Sequence, residues 1–374
     1  MKALARYFTL LGLLVLVGVL KSCYDDPEFP GLPEVDCMTP PPTTPYTLNI
    51  PDHFPPMTIP ADNPMTEEAV ALGRKLFYDP ILSRDSTQSC GSCHTLGRGF
   101  TDDGLQFSIG ITGAMGTRNS MALINLGWGT EMFWDGRAAT LEDQVFGPVN
   151  DPVEMDFNWP AVEARLNAHP TYPTEMYNAF GINTVDSVHV AKAIAQFMRT
   201  LISGGSKFDQ WVAAGADTNA LAQFFTTEEK AGFELFQVTN FGCAHCHGTV
   251  LTTDNDFHSN DLFPVPYQDF GVGGITGDPF EFGVFKTPTL RNVAVSDPYM
   301  HDGSLNSLDD VLDRYAEGMQ DTNNQDPVFE NHFNAQVGGI VMSDDERDAV
   351  VAFLHTLTDS TFLNNEAEFG NPFD

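Results

Sequence analysis

Apolar residues recur at helical spacing in several stretches of this chain. From Ser187 to Leu201, the residues Val190, Ile194, Phe197, Met198 and Leu201 fall on one face, the mark of an amphipathic helix. Ser307 precedes Leu308, Val311, Leu312 and Tyr315, again on one side, and Gly318 supplies the stop. Ser343 and Glu346 have capping-box spacing and open a helix that buries Val350, Phe353, Leu354 and Leu357. Two further helices form a weak internal repeat. Thr66-Glu67-Glu68 starts one that ends in Leu76-Phe77, and Cys90 follows. Thr227-Glu228-Glu229 starts another that ends in Leu235-Phe236, and Cys243 follows. In both, a threonine cap and first-turn acids open the helix. Strand signals are few, and the connections are long and rich in Gly, Asn, Asp and Pro. The pattern predicts a mostly α fold with two small helical domains and long loops.

The N-terminus follows a different pattern. Lys2 and Arg6 precede an apolar run from Phe8 to Leu20, then Lys21-Ser22-Cys23. The run is short for a membrane span and fits a secretory signal over residues 1–22. A cysteine directly after it resembles a lipoprotein cleavage site, which would make Cys23 a lipidated first residue. The alternative is ordinary signal cleavage, with Cys23 left as a thiol or paired with Cys37. Residues 23–60 are proline-rich without helical period and read as a tether. The remainder divides into residues 61–225 and 226–374, one member of the repeat in each.

Charge narrows the partners. The chain carries a formal −33, and loss of the segment holding Lys2, Arg6 and Lys21 takes it to −36. Such a surface excludes electrostatic binding to nucleic acid or to an anionic lipid face. A basic redox partner would be drawn to it; a solubilising or salt-adapted surface is the other reading.

Chemistry enters with two pentapeptides, Cys90-Gly91-Ser92-Cys93-His94 and Cys243-Ala244-His245-Cys246-His247. Each is the attachment signature of a c-type haem. The two thiols reach the vinyl groups of one porphyrin, and the adjacent histidine lies under the iron as proximal ligand. A zinc knuckle would need both pairs to meet and would not need the histidines. A redox dithiol is the other alternative.

The order of motifs resembles one family, the di-haem bacterial cytochrome c peroxidases and their relatives. The matching segments are Leu72-Gly73-Arg74-Lys75-Leu76-Phe77, Cys90 to His94, Ser108-Ile109-Gly110, Arg118-Asn119-Ser120 and Phe133-Trp134-Asp135-Gly136-Arg137-Ala138. They continue with Gln144, Gly147-Pro148-Val149, Pro152-Val153-Glu154-Met155, Cys243 to His247, Thr287 to Val293 and Tyr299-Met300-His301-Asp302-Gly303.

The resemblance implies two cytochrome c-like helical domains and a division of labour between them. The haem on His94 would be peroxidatic, and the haem on His247 would relay electrons. Glu154 and Gln144 match distal-pocket groups that move the peroxide proton; unaided, Glu154 also reads as a loop acid beside Asp151 and Asp156. Trp134 would bridge the haems; unaided, it reads as a core aromatic. Asn119, with the carbonyls of Ser296 and Pro298, matches a calcium site.

Two positions depart from the usual peroxidase. Many of these enzymes carry a histidine in the loop after Ser-Ile-Gly that closes the active haem until the other is reduced. Here that place is Ile111, and no histidine occurs between His94 and His169. At the relay haem the peroxidases place a methionine fourteen residues beyond the position of His301; here that residue is Tyr315. The branch that modifies a tryptophan in methylamine dehydrogenase has tyrosine there. Met319 or Met300 remain alternative ligands. His245, His258, His169, His189, His332 and His355 have no motif context and read as structural or solvent-facing.

The expected activity is reduction of hydrogen peroxide to water, with electrons from a small periplasmic donor of cytochrome c or cupredoxin type. The rivals are a di-haem oxidase that uses a high oxidation state of iron to modify a partner protein, and a plain electron-transfer cytochrome. A homodimer, and attachment to a bacterial membrane only through a lipid anchor, complete the expectation.

Overall fold

Three of the capping residues anticipated from sequence, Thr66, Ser307 and Ser343, open the helices they precede. In a computed structural model, residues 41–237, 241–260, 267–319, 326, 333–334 and 339–374 are described. The signal region, Cys23, Cys37 and His332 lie outside the described residues. Ten helices of five or more residues occur among those described. They are α1 (Glu67–Tyr78), α2 (Leu141–Asn150), α3 (Trp159–Asn167), α4 (Tyr172–Phe180), α5 (Ser187–Thr200), α6 (Lys207–Ala213), α7 (Thr227–Gln237), α8 (Cys243–His247), α9 (Leu308–Glu317) and α10 (Asp344–His355). Among the described residues, strands are confined to two-residue antiparallel pairs: Phe257–His258 with Phe285–Lys286, and Phe333–Asn334 with Gly339–Ile340.

Thr66 caps α1 by accepting from the amide of Ala69 at 3.2 Å, and Ser307 caps α9 by accepting from Asp310 at 3.0 Å. Ser343 and Glu346 close the expected capping box on α10. One cap is corrected. Thr226, not Thr227, accepts from the amide of Glu229 at 3.2 Å, and Thr227 is the first helical residue. Its backbone already follows the helix, so its hydroxyl cannot reach the first-turn amides.

Two hydrophobic cores result. The first gathers Leu76 and Phe77 of α1, Phe100, Trp159, Tyr172, Met176, and Ile194 and Phe197 of α5. The second gathers Phe208, Trp211, Phe233 and Phe236, Leu308 and Leu312, and Val350, Phe353 and Leu354. The repeat extends to helix packing. A Cβ on Gly73 would lie 1.9 Å from the carbonyl oxygen of Ala193, and one on Gly232 would lie 1.8 Å from that of Ala349. Each glycine sits four residues before a core phenylalanine, Phe77 or Phe236, and lets its helix touch the backbone of its neighbour. Any larger residue would push the two helices apart.

The cores do not partition strictly by sequence. Phe362, Leu363 and Phe369 return from the C-terminus to the first core. Arg74 Nε donates to the Gly370 carbonyl at 2.8 Å, and Tyr78 Oη to the Phe369 carbonyl at 2.7 Å. Residues 41–64 form no helix and include turns at 52–54 and 61–63, and part of that segment is anchored. His53 Nε2 lies 2.8 Å from Asp209 Oδ1, and Trp128 Nε1 donates to the Pro55 carbonyl at 2.9 Å.

A buried polar seam joins the cores. Asp209 takes both guanidinium ends of fully buried Arg291, at 2.7 and 2.8 Å. Burial alone would raise this carboxyl; Arg291, Ser206 and His53 instead hold it below the usual range. Nearby, Asp359 Oδ2 accepts from the amides of Gly204 and Gly205, and Asn292 Nδ2 donates to Ser203 Oγ. A charge pair this deep holds only while both partners stay, so the geometry between the two cores is firmly set.

Candidate active site

Each cysteine pair sits on a single helical turn. Cys90–Ser92 form a 3-10 turn, and the amide of His94 donates to the Cys90 carbonyl at 3.0 Å. The second pair opens and closes on α8. Burial pushes the Cys90 thiol up to about 12, with Cys93 adding to the shift, and burial likewise pushes Cys243 up to about 12. A redox dithiol needs the opposite, a lowered thiol pKa. The pairs also do not converge on a zinc site: among the described residues the one cluster of three potential ligands is Cys246, Asp254 and His258.

The histidines are oriented as metal ligands. His94 Nδ1 lies 2.6 Å from the Phe100 carbonyl, and His247 Nδ1 lies 3.0 Å from the Thr252 carbonyl. A carbonyl can only accept, so Nδ1 carries the proton and Nε2 keeps the lone pair for a metal. Burial lowers both pKa values, which favours the neutral, ligating imidazole.

A large cavity opens beside His247, with about 1970 Å³ of empty space that includes an open mouth. Cys243, Cys246 and His247 line one part, and Phe236, Leu251, Leu312 and Leu354 line others. An apolar chamber holding a two-thiol turn and an oriented imidazole has the donor set of a covalent haem.

On the other side, Glu154 faces the first turn closely enough that its charge raises both Cys90 and Cys93. Burial pushes the Glu154 carboxyl up to about 7, Asp151 adds to the rise, and Arg137 opposes it. The loop carrying Ile111 packs directly on this acid. The Ile111 amide donates to the Glu154 carbonyl at 3.0 Å. Gly110 makes this approach possible, since a Cβ there would fall 1.7 Å from the Val153 carbonyl oxygen. Gln88 Nε2 pins the same loop, donating to the Ile109 carbonyl at 2.9 Å while touching Cys93 Sγ at 3.3 Å. Gln144 is half-buried on α2, whose cap is Thr140.

Trp134 connects the two regions. Its Nε1 donates to the Asn119 carbonyl at 2.9 Å, and its ring lines the cavity of His247. The next residue, Ser120, places Oγ 3.3 Å from His94 Nδ1. His301 packs edge-on against Trp134 and stacks on Phe285 at 3.6 Å between centroids. Asn119, Ser296 and Pro298 share the cavity wall. The Asn119 amide donates Nδ2 to the carbonyls of Leu105 and Gln106 at 3.2 and 3.1 Å.

Tyr315 lines the same cavity as His247, as does Met300, whereas Met319 is packed into the second core. Asn260 Nδ2 bridges the Tyr315 hydroxyl at 3.4 Å and Met300 Sδ at 3.6 Å. Burial raises the Tyr315 phenol, and Asn260 opposes the rise. Of the other histidines, His258 and His301 line the cavity of His247. His245 and His355 are exposed, His189 binds its cap residue Asp186, and His169 packs on Tyr172. His258 is gripped by Asp326 at 2.5 Å and Asp254 at 2.9 Å.

Comparison with known proteins gives this arrangement its place. Residues 67–217 match the family model for di-haem cytochrome c peroxidases, and residues 229–358 match that for cytochrome c. Over 304 residues the chain is 40% identical to the methylamine utilization protein MauG of Methylorubrum extorquens, covering 80% of each protein. The chain belongs to the di-haem cytochrome c peroxidase family. It carries two covalent c-type haems and is a haem oxidoreductase of the peroxidase class. A second member, the cytochrome c551 peroxidase of Nitrosomonas europaea, is 34% identical over 304 residues, covering 80% of this chain and 83% of that one. Among solved structures, a MauG-like protein associated with microbial copper homeostasis superposes with a TM-score of 0.77 at 32% identity, covering 88% of this chain and all of that one. The mostly helical two-core architecture is therefore that of the family.

Sequence reasoning missed Gln88, Ser120, Thr252, Asn260 and Lys286. The backbone acceptor Thr252 carries no side-chain signal. Ser120 was visible only as part of Arg118-Asn119-Ser120, and Lys286 only as a lysine beside Thr287-Pro288.

Proposed function

We propose that the protein reduces hydrogen peroxide to water at the haem on His94, with electrons relayed from the haem on His247. The single observation that carries this reading is Glu154. It is a carboxyl raised to about 7 beside the first Cys-x-x-Cys-His turn, and a plain electron carrier has no use for one. The haem supplies the redox equivalents and an iron position for peroxide. The chain supplies the proton chemistry. Glu154 would take a proton from one peroxide oxygen and return it to the other. Gln144 would orient the peroxide. Two electrons and two protons complete the conversion of one peroxide to two waters.

Trp134, which lines the relay cavity and reaches His94 through the adjacent residues Asn119 and Ser120, carries electrons between the sites. Residues 61–225 and 226–374 would each form one haem domain, with Phe208 and Trp211 of the first range packing into the second core and Phe362 and Phe369 of the second range into the first. Calcium at Asn119 with the carbonyls of Ser296 and Pro298 would stiffen the junction. The protein works in the periplasm of a bacterium, held by lipid on Cys23, and accepts electrons from a small cytochrome c or cupredoxin. No helix among the described residues is long and apolar enough to cross a membrane.

A second reading has a specific observation behind it. Tyr315 shares the relay cavity with His247, and a phenolate ligand would favour ferric iron there. That suits an oxidase that draws electrons from a partner protein, as a relative named for methylamine utilization would suggest. Steady-state peroxide consumption with a reduced small cytochrome separates the two. Sustained turnover supports the peroxidase; consumption only in the presence of an oxidisable partner protein supports the oxidase.

A further inference from the structure

Among the described residues, Lys286 is the single lysine or arginine lining the cavity of His247, and no aspartate or glutamate lines it. The side chain is 6% exposed. Its Nζ donates to the Asn255 carbonyl at 3.1 Å and stands 5.4 Å from the Phe257 ring centroid. It forms no ion pair among the described residues. An ammonium has three donors, and one hydrogen bond leaves it poorly compensated for burial. A buried cation without a counter-ion is costly. Burial lowers the Lys286 pKa, and the charges of Glu131, Asp254 and Asp256, none of them paired with it, oppose the drop. The cavity must receive a porphyrin whose two propionates are carboxylates. The cavity's other basic groups are already committed: His247 is the iron ligand, and His258 is held between two aspartates. His301 is stacked on Phe285, and burial drops its pKa to about 4.

We infer that Lys286 is the anchoring site for a haem propionate at the relay centre. The placement gives the contact a consequence. The Lys286 amide donates to the Trp134 carbonyl at 2.8 Å, and Lys286 follows Phe285, which stacks on His301. A propionate held by Lys286 would lie on the segment that bonds to the backbone of Trp134. A fixed cation there also favours the ferrous state, because reduction adds a negative charge.

This inference rests on the haem assignment and not on peroxide turnover. The test is a spectroelectrochemical titration of both haems, without peroxide, in the parent and in Lys286→Met and Lys286→Arg. In Lys286→Met the His247 haem should become harder to reduce, its ferrous-to-ferric ratio falling by roughly tenfold at a fixed applied potential. Its potential should also turn pH-dependent where the parent is flat, because the propionate loses the cation that kept it ionised. Lys286→Arg should restore parental behaviour, and the His94 haem should stay unchanged. If Lys286→Met fails to mature, Lys286→Gln makes the same charge change. Parental potentials and pH profile in the neutral variant would overturn the inference. So would a fall that arginine shares, since that would reflect repacking.

Discussion

The amide of Ile111 donates to the carbonyl of Glu154 at 3.0 Å, so the residue in place of a closing histidine is bonded to the acid that would handle peroxide. Gln88 holds the neighbouring Ile109 carbonyl from the other side. An isoleucine in that position has no atom to offer iron. Ile111→His should therefore create a need for prior reduction that the parent lacks. The check is the rate of the peroxide reaction in fully oxidised and half-reduced samples. Equal rates in both states of the variant would mean that this loop does not control access.

Glu154 sets the pH dependence. Its carboxyl is raised to about 7. As a base it must be ionised, and the ionised form grows as pH rises through that value. The peroxide reaction should rise with pH through about 7 and level off above it. Glu154→Gln keeps the shape and removes the base, so the rate should fall by about 10²–10⁴-fold and the pH step should vanish. Near-parental turnover would reduce Glu154 to a loop acid.

Trp134 touches the relay cavity and reaches His94 through two adjacent residues. Trp134→Ala should slow oxidation of the relay haem by peroxide while both haems stay attached. Pyridine haemochrome analysis should still count two haems per chain. Unchanged kinetics in such a sample would reassign the ring to packing.

Tyr315→Phe tests ligation at the relay haem. The phenyl ring preserves the packing of α9, so only the oxygen is lost. The low-spin spectrum of that haem should change, and its potential should rise as the ferric-stabilising ligand goes. An unchanged, methionine-type spectrum would point to Met300, which Asn260 places beside the hydroxyl.

Much of this was legible along the chain because the signals are local. The caps Thr66, Ser307 and Ser343, the two cysteine turns and the repeated Leu-Phe ends are read within one helical turn of sequence. What escaped depends on residues far apart. Nothing near Phe362 or Phe369 announces that they complete the first core, and Asp209 and Arg291 meet across 82 positions. Gly73 and Gly232 look unfavourable in helices until their partners Ala193 and Ala349 are in place. Lys286 was illegible for the same reason, since its burial is set by Phe257 and Trp134 from other segments.

The central claim is that the His94 site meets peroxide while both haems are oxidised. Mixing the fully ferric protein with peroxide in a stopped-flow spectrometer tests it directly. A rapid change in the haem spectrum, complete without added reductant, is the predicted result. A ferric spectrum that stays still until reductant is supplied would contradict it.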